Sequence, residues 1–334
     1  MILGSATSHR YLDLPGVNVT FIDPGGPYGA LTWVDICSNG TNWVIIGTKA
    51  PFTTTYYGIS SDLVSWSVGI VGSGGPRAIA ANSNGFAIIT TGNPTTQGYF
   101  SSNGTTWSSV SLPSGSWMDI KADTTNFIAL SVRPFGNGGI SRSSNGTTWS
   151  SITTLPAISV GDWYNLTTNG STYTITPGNP SSIPTAISAT YSSSLTGPWL
   201  TSSLPNGGVW TGSTSNNSTV VSVAANQIGP PYAIGPLYNS AYSSDNGVTW
   251  NASTLQDNYL DVGSSAYYFL AVGQVQNTTT ATYSVSSNGI SWNTYNKSIR
   301  TKRVSSKGLS YTNNGNIFGG IEVDGLGVTK IVLL

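Results

Sequence analysis

A phrase of small polar residues that ends in tryptophan returns along most of the chain. Its clearest copies, Ser101–Trp107 and Ser143–Trp149, both read Ser-Ser-Asn-Gly-Thr-Thr-Trp. Looser copies occur elsewhere, and the closing residues Trp66, Trp107, Trp149, Trp199, Trp250 and Trp292 are 41, 42, 50, 51 and 42 residues apart. A repeat of about 45 residues indicates an array of small sheets, none of which can bury its faces alone.

A second repeat precedes the tryptophan phrase and consists of a turn followed by an apolar run. The seven runs begin near Trp43, Phe86, Phe127, Tyr173, Val220, Tyr268 and Ile317. An inner strand is predicted before each turn, at the aligned positions Trp33, Ala78, Trp117, Trp163, Trp210, Tyr259 and Gly308. Apolar residues recur around these positions with the period of two that is typical of β-strands.

These patterns predict an all-β chain whose repeating unit has four antiparallel strands, called a to d from here on. Seven such units predict a seven-bladed β-propeller that occupies residues 1–334 as one domain. The predicted blades span roughly residues 31–70, 76–112, 116–155, 162–204, 209–255, 258–297 and 303–334.

The seventh unit lacks the tryptophan phrase and strand d. An unassigned strand, residues 17–22, follows an N-terminal arm, residues 1–16, and precedes the first unit. Pairing of residues 17–22 with residues 328–334 would complete the seventh blade and satisfy its exposed edge. The sequence therefore predicts a ring that the N-terminal strand closes.

The copy Ser243–Trp250 resembles the Asp-box, or BNR, repeat of sialidase-like propellers, Ser-x-Asp-x-Gly-x-Thr-Trp. The resemblance implies a turn between strands c and d, on the face away from the active site of that family. It implies a structural role for Trp66, Trp107, Trp149, Trp199, Asp245, Gly247, Trp250 and Trp292. Glycine supplies the positive φ of a tight turn, and tryptophan anchors a small blade.

Only 7% of the 334 residues are charged, and the net charge is zero. This balance predicts no nucleic-acid partner. The sequence also predicts no signal peptide and no membrane insertion, because it has neither a basic start nor a long apolar run. A polar surface made without a secretion signal, together with a single cysteine, Cys37, predicts a virion protein that is released by lysis. The composition is similar to that of bacteriophage tail and virion proteins.

The family resemblance invites the chemistry of a sialidase, yet the residues predict no enzyme. Glu322 is the only glutamate, and Pro76–Ile79 is a poor match to the family's arginine motif. Asp35, Asp119 and Asp261 occupy equivalent inner-strand positions, where they would either pair for glycoside hydrolysis or bond neighbouring backbone groups. His9 is the only histidine, so neither a metal site nor a cofactor is predicted.

Three sets of residues are candidates for binding. The aromatic residues of the inner strands would either stack on sugars in a funnel or pack blade against blade: Trp33, Trp117, Trp163, Trp210 and Tyr259. The longest loop between strands b and c, residues 226–239, carries Tyr232 and Tyr238. A basic stretch, residues 297–307, includes Arg300, Lys302 and Arg303.

The leading functional prediction is a non-enzymatic virion protein, on a phage tail or surface, that binds a host surface glycan or docks to another virion protein. The alternatives are a free carbohydrate-binding lectin with one site per blade and, less favoured, a sialidase-like glycosidase. A lectin of that type needs similar pockets in every blade, whereas only fold-directing residues repeat here.

Overall fold

The computed structural model describes residues 10–14, 17–92, 95–132, 138–158, 162–178, 188–205, 209–216, 219–225, 240–255, 258–274, 280–298, 310–311, 317–321 and 328–333. These residues form β-strands, turns and bends. No helix among them is long and apolar enough to cross a membrane.

The described residues form 28 strands. In chain order they are β1 (Arg10–Leu14), β2 (Val17–Ile22), β3 (Thr32–Ser38), β4 (Trp43–Thr48), β5 (Thr54–Ser60), β6 (Ser67–Ser73), β7 (Pro76–Asn82), β8 (Gly85–Thr90), β9 (Thr95–Ser101), β10 (Ser108–Ala122), β11 (Phe127–Val132), β12 (Gly139–Ser143), β13 (Ser150–Thr154) and β14 (Asp162–Thr168). The series continues with β15 (Tyr173–Gly178), β16 (Ser188–Ser192), β17 (Leu200–Ser203), β18 (Val209–Asn216), β19 (Thr219–Ala225), β20 (Ser240–Ser243), β21 (Asn251–Ala252), β22 (Asn258–Ser264), β23 (Phe269–Gln274), β24 (Thr280–Ser286), β25 (Asn293–Ser298), β26 (Ser310–Tyr311), β27 (Ile317–Ile321) and β28 (Val328–Leu333).

The prediction of four-stranded antiparallel units is confirmed. Four separate sheets have the order β3 to β6, β14 to β17, β18 to β21 and β22 to β25. Strands β7 to β13 form one seven-stranded sheet, because the 15-residue β10 serves two units. Its first part pairs with β9 and its last part with β11. The predicted boundary between residues 112 and 116 therefore lies inside a continuous strand.

The chain ends meet in the remaining sheet, whose order is β1-β2-β28-β27-β26. Strand β2 pairs antiparallel with β28, from Val17 opposite Leu333 to Ile22 opposite Val328, as the sequence predicted. The predicted N-terminal arm also contains β1, a further strand that pairs with β2.

The first strands of successive units contact one another in chain order. The contacts join β3 to β7, β7 to β10, β10 to β14, β14 to β18, β18 to β22, β22 to β26 and β26 to β3. The inner strands of six units line one shared cavity, whose long direction is called the axis here, and strands b to d of each unit follow outward from it.

The apolar core lies between adjacent units. Val44 and Ile46 of β4, for example, pack with Ile79, Phe86 and Ile88 of the next unit in one buried cluster. All six residues of β4 are buried, and so are all six of β8. A strand b that packs on two neighbours is buried on both faces, which is why these segments read as continuous apolar runs rather than as alternating ones.

The tryptophan phrases form the turns between strands c and d. In the second unit, the Ser101 hydroxyl oxygen accepts a 2.8 Å hydrogen bond from the Gly104 N–H, and Asn103 Oδ1 accepts bonds from the next two N–H groups. Gly104 has a φ of 79°, and a Cβ there would lie 2.8 Å from Ile59 Cδ1 of the preceding unit. The turn therefore needs glycine both for its backbone angle and for its close approach to the neighbouring sheet.

The second unit differs from the predicted alignment. Its turn between strands a and b is two residues shorter, so that Ala78 faces Ile89 in the way that Asp35 faces Ile46. In the repeat alignment, Pro76 therefore corresponds to Trp33 and Ala78 to Asp35. The prediction that aligned Ala78 with Trp33 is wrong.

Candidate functional site

A β-bulge occurs at the same place in six inner strands. In β3 the pairing with β4 passes from Trp33 to Asp35, which leaves Val34 as the extra residue. The same shift occurs in β7, β10, β14, β18 and β22. A bulge re-aims a side chain at the edge of a sheet, and such bulges are common beside functional sites.

The six extra residues form a set, called the bulge ring here: Val34, Arg77, Met118, Tyr164, Thr211 and Leu260. Each is partly exposed, whereas the residue before it is buried. The ring lies toward the end of the inner strands where the b–c loops begin. The members of the ring differ in chemistry, whereas the positions on either side of them repeat from unit to unit. This contrast is visible in the sequence, but an alignment based on a period of two does not single out the bulge position.

Arg77 contacts two other members of the ring. Its Nε donates to the Met118 carbonyl oxygen at 3.3 Å, and its Nη2 donates to the Tyr164 hydroxyl at 3.1 Å. The guanidinium carbon also lies 5.8 Å from the centre of the Tyr164 ring, a cation–π distance. The ion pair found among the described residues joins Lys121 to Asp119 and does not involve Arg77. The partners of Arg77 in the described part of the chain are therefore neutral groups.

The predicted funnel aromatics are buried, which contradicts a direct role in binding. Trp33 and Trp117 are 4% exposed, Trp163 is 2% exposed, and Trp210 and Tyr259 are 1% exposed. Trp163 Nε1 donates to the Pro156 carbonyl, and the Tyr259 hydroxyl lies 2.8 Å from that of Ser284. The alternative interpretation, packing between blades, fits these buried aromatic residues. The bulge directs the residue that follows each of them to the exposed side.

The inner-strand aspartates bond backbone groups of two adjacent units. Asp35 accepts 2.9 Å hydrogen bonds from the N–H groups of Ile36, on Oδ1, and Ile79, on Oδ2. Asp119 accepts 2.9 Å bonds from Ile120 and Leu166 in the same manner. Each carboxylate thus caps two N–H groups at strand edges that face the axis, which is the structural alternative that the sequence left open.

Burial raises the pKa of Asp35 to about 6, and the nearby Lys121 ammonium limits the rise. Burial also opposes the charged form of Lys121, but the carboxylates of Asp119, Asp35 and Asp261 outweigh it and raise the pKa of the ammonium. Lys121 Nζ lies 3.2 Å from Asp119 Oδ1. Charged groups from three separate repeats therefore meet at the axis.

An axial cavity opens among the turns that join strands a and b. Its outer part has a volume of about 690 Å³ and is lined by residues such as Asn39, Asn82 and Asn169. An inner chamber of about 210 Å³ adjoins it and is lined by residues that include Asp35, Lys121 and Asp261. Among the described residues, no group of three or more His, Cys, Asp or Glu side chains could hold a metal ion.

The other predicted binding residues cannot be placed. Tyr232, Tyr238, Arg300, Lys302 and Arg303 lie outside the described residues and stay predictions. In the first unit, where the b–c loop is described, Phe52 is 60% exposed, so an aromatic side chain is available on that face.

No protein-family model and no curated protein sequence matches this chain. Solved structures do match it. YCF48 bound to a D1 peptide has a TM-score of 0.65 and 13% identity, with 100% of both chains covered. The β-propeller domain of Myceliophteria thermophila Cps50 (Swd1) has a TM-score of 0.62 and 10% identity, covering 98% of this chain and 100% of that chain.

The β-propeller domain of the Trilobed protease from Pyrococcus furiosus has a TM-score of 0.58 and 6% identity, covering 90% of this chain and 93% of that chain. These likenesses, together with the sheets described above, show that the chain has a β-propeller fold. At such low identity they carry no information about its ligand.

Proposed function

We propose that the chain is a non-enzymatic, seven-bladed β-propeller of a virion, on a phage tail or surface, which recognises a host surface glycan or docks to another virion subunit. The blade count is supported by the order of inner-strand contacts, which passes through seven first strands and returns from β26 to β3. Closure of the ring is supported by the pairing of β2 with β28, which gives the last blade its fourth strand.

The observation that carries the binding role is the bulge ring. Six partly exposed side chains of different chemistry stand at one repeated backbone position, next to the loops that vary most in length. A constant frame that presents variable side chains is how propellers and other scaffolds carry recognition. Because the six side chains differ, they favour one composite site on the axis over the lectin alternative, which needs one equal site per blade.

The proposal that the chain is not an enzyme is supported by the hydrogen bonds that the inner-strand aspartates accept. Asp35 has the raised pKa that a glycosidase acid would share, but both of its oxygens accept backbone N–H bonds. Asp119 is engaged in the same way and is also paired with Lys121. A glycosidase that uses a carboxyl pair would need both groups available to substrate and water.

The virion context is supported by composition. A surface with 7% charged residues is solvated mainly by hydroxyl and amide groups. The stretch with Arg300, Lys302 and Arg303 lies outside the described residues, and its concentrated positive charge is part of the proposal as a second attachment element. Contacts through exposed charges weaken as salt rises.

The test measures retention of the purified protein on host-cell envelopes or on a panel of bacterial surface polysaccharides. We expect Arg77→Ser to weaken retention about tenfold or more, since a charge-assisted bond contributes roughly 1.5–3 kcal/mol. The matched control, Arg142→Ser, removes an exposed arginine outside the ring and should change nothing. The triple change of Arg300, Lys302 and Arg303 to Ser should reduce the salt dependence of retention.

Two outcomes would contradict the proposal. Release of sugar products from the panel would show a glycosidase. Retention that is unchanged by both Arg77→Ser and the triple change would place attachment elsewhere on the molecule.

A further inference from the structure

Phe52 holds a backbone conformation that a bulky residue rarely adopts. Its φ is 65°, in the left-handed region, where phenylalanine is an outlier. Such a conformation is unfavourable and persists only where the surrounding structure imposes it, most often at binding and catalytic sites. Glycine adopts the same angle without strain, so phenylalanine lowers the stability of the folded chain at this position.

The Phe52 ring adds little to the core that would offset this strain. It is 60% exposed and lies on the loop that joins β4 to β5, the b–c loop of the first unit. A ring that is both strained in its backbone and open to solvent is therefore explained better by contact with a ligand than by folding.

The loop that carries Phe52 is fixed on both sides. The Phe52 N–H donates to the Lys49 carbonyl at 2.6 Å, and Lys49 Nζ donates to the Tyr28 carbonyl at 2.9 Å, in the segment before the first unit. On the other side, the Thr53 carbonyl accepts a 2.7 Å bond from the N–H of Gly74, in the connection to the second unit. An aromatic ring on a fixed backbone loses little freedom on binding, which suits a contact residue.

The same loop lies beside the connection that leads to Arg77. A Cβ at Gly75 would lie 3.2 Å from the Phe52 carbonyl oxygen. Gly75 precedes Arg77 by two residues, a span of at most about 7 Å. Phe52 and the bulge ring therefore belong to one face of the molecule, the face of the b–c loops, which is called the attachment face here.

A single exposed ring suits a sugar better than a protein partner. Of the large apolar side chains that are exposed in the described ranges, Phe52 is the one on a b–c loop. The others belong to strands β6 and β17 or to a–b and c–d turns, at the opposite end of the strands. A protein interface needs a wider apolar centre with several such side chains. One aromatic face matches one face of a pyranose ring, whose C–H groups are attracted to the negative face of the aromatic ring.

We propose that Phe52 is the stacking platform for one sugar residue of the oligosaccharide that the attachment face binds, and that the adjoining sugar residues extend toward Arg77. This assignment rests on the proposed function, because it names a contact residue and a ligand class for the same face. It extends the site from the axis outward onto the first blade.

Binding of the purified protein to an array of bacterial surface oligosaccharides tests the assignment. Phe52→Ala should weaken binding about tenfold, whereas Phe52→Trp keeps an aromatic face and should retain binding. Phe52→Leu keeps apolar area without an aromatic face, so it should weaken binding nearly as much as alanine does. Tyr267→Ala is the matched control, since it removes a ring that is 63% exposed on the opposite face, and it should bind normally.

The melting temperature gives a second measurement that needs no ligand. Phe52→Gly removes the strain together with the ring, so it should raise the melting temperature by about 2 °C and lose binding. A lower melting temperature for Phe52→Gly would show that the ring serves the fold, and it would overturn the assignment.

Three binding results would also overturn it, and they separate it from the proposed function. If Arg77→Ser weakens binding but Phe52→Ala does not, the attachment face stands and the stacking site fails. Wild-type binding by Phe52→Leu would indicate general apolar contact, as in a protein interface. If the wild type binds no oligosaccharide on the array, the glycan form of the proposed function fails together with this assignment.

Discussion

The Asp35 carboxylate bonds two blades at once, since its Oδ2 accepts a 2.9 Å hydrogen bond from the backbone N–H of Ile79 in the next unit. Its Oδ1 accepts the N–H of Ile36 in its own strand. These N–H groups lie on the free edge of an inner strand, where no ladder partner exists. The Asp35 carboxylate therefore satisfies backbone N–H groups that, at the edge of a sheet, have no partner strand to bond.

Asp35 should make stability depend on pH in an unusual direction. Its pKa is about 6 in the folded chain against an ordinary value of 3.8, chiefly because it is buried. The folded state holds the proton more tightly, so this contribution to stability is complete below pH 3.8 and is lost as the pH rises through 6. The wild type should lose about 3 kcal/mol relative to Asp35→Asn between about pH 3.5 and about pH 7.5.

Urea denaturation of both proteins across this range measures the difference. A difference that does not change with pH would show that Asp35 titrates normally.

Two glycines with similar backbone angles separate strain from crowding. Gly104 has a φ of 79° and Gly170 a φ of 91°, but only at Gly104 would a Cβ meet neighbouring atoms, Ile59 Cδ1 among them. Gly170→Ala should cost about 1 kcal/mol from the left-handed backbone alone. Gly104→Ala should cost a further 1–3 kcal/mol or so, because the neighbouring sheet must move. Equal losses in chemical denaturation would mean that the turn does not press on the preceding blade.

Two tryptophans of the repeated phrase differ in one hydrogen bond. Trp149 Nε1 donates to the Gly146 carbonyl at 3.2 Å, whereas the buried Trp107 Nε1 has no partner. Trp149→Phe should therefore destabilise the protein by about 1 kcal/mol more than Trp107→Phe does. Thermal melts of the two variants give the comparison, and a larger loss for Trp107→Phe would contradict it.

The pairing of β2 with β28 should account for much of the global stability. Deletion of residues 1–22 removes β2 and uncovers β28, whose Ile331 and Leu333 belong to a buried cluster. We expect the melting temperature to fall by roughly 10 °C or more. Deletion of residues 1–16 removes β1 but keeps β2, and it should cost far less. Similar losses from both deletions would mean that closure contributes little.

The strands, the four-stranded unit and the pairing of the chain ends could all be predicted from the amino-acid sequence. These features depend on local properties that repeat: a period of two, glycine where φ is positive, and continuous apolar runs where a strand is buried on both faces. The tryptophan phrases were predictable for the same reason, since Ser101, Asn103 and Gly104 bond within one turn.

Which side chains face the axis could not be predicted, because it depends on how the inner strands pack together. A bulge adds one residue without altering the composition of a strand, so Trp33 was a candidate for binding although it is buried, while Val34 beside it is partly exposed. Arg77 was missed as a binding candidate for a second reason: the a–b turn of its unit is two residues shorter, which shifts the alignment of the repeat. The surroundings of Lys121 were beyond prediction, because Asp35, Asp119 and Asp261 come from separate repeats. Such groups meet only when the inner strands gather around one axis. The three carboxylates then raise the pKa of the Lys121 ammonium against the effect of its burial, over distances that no local pattern records.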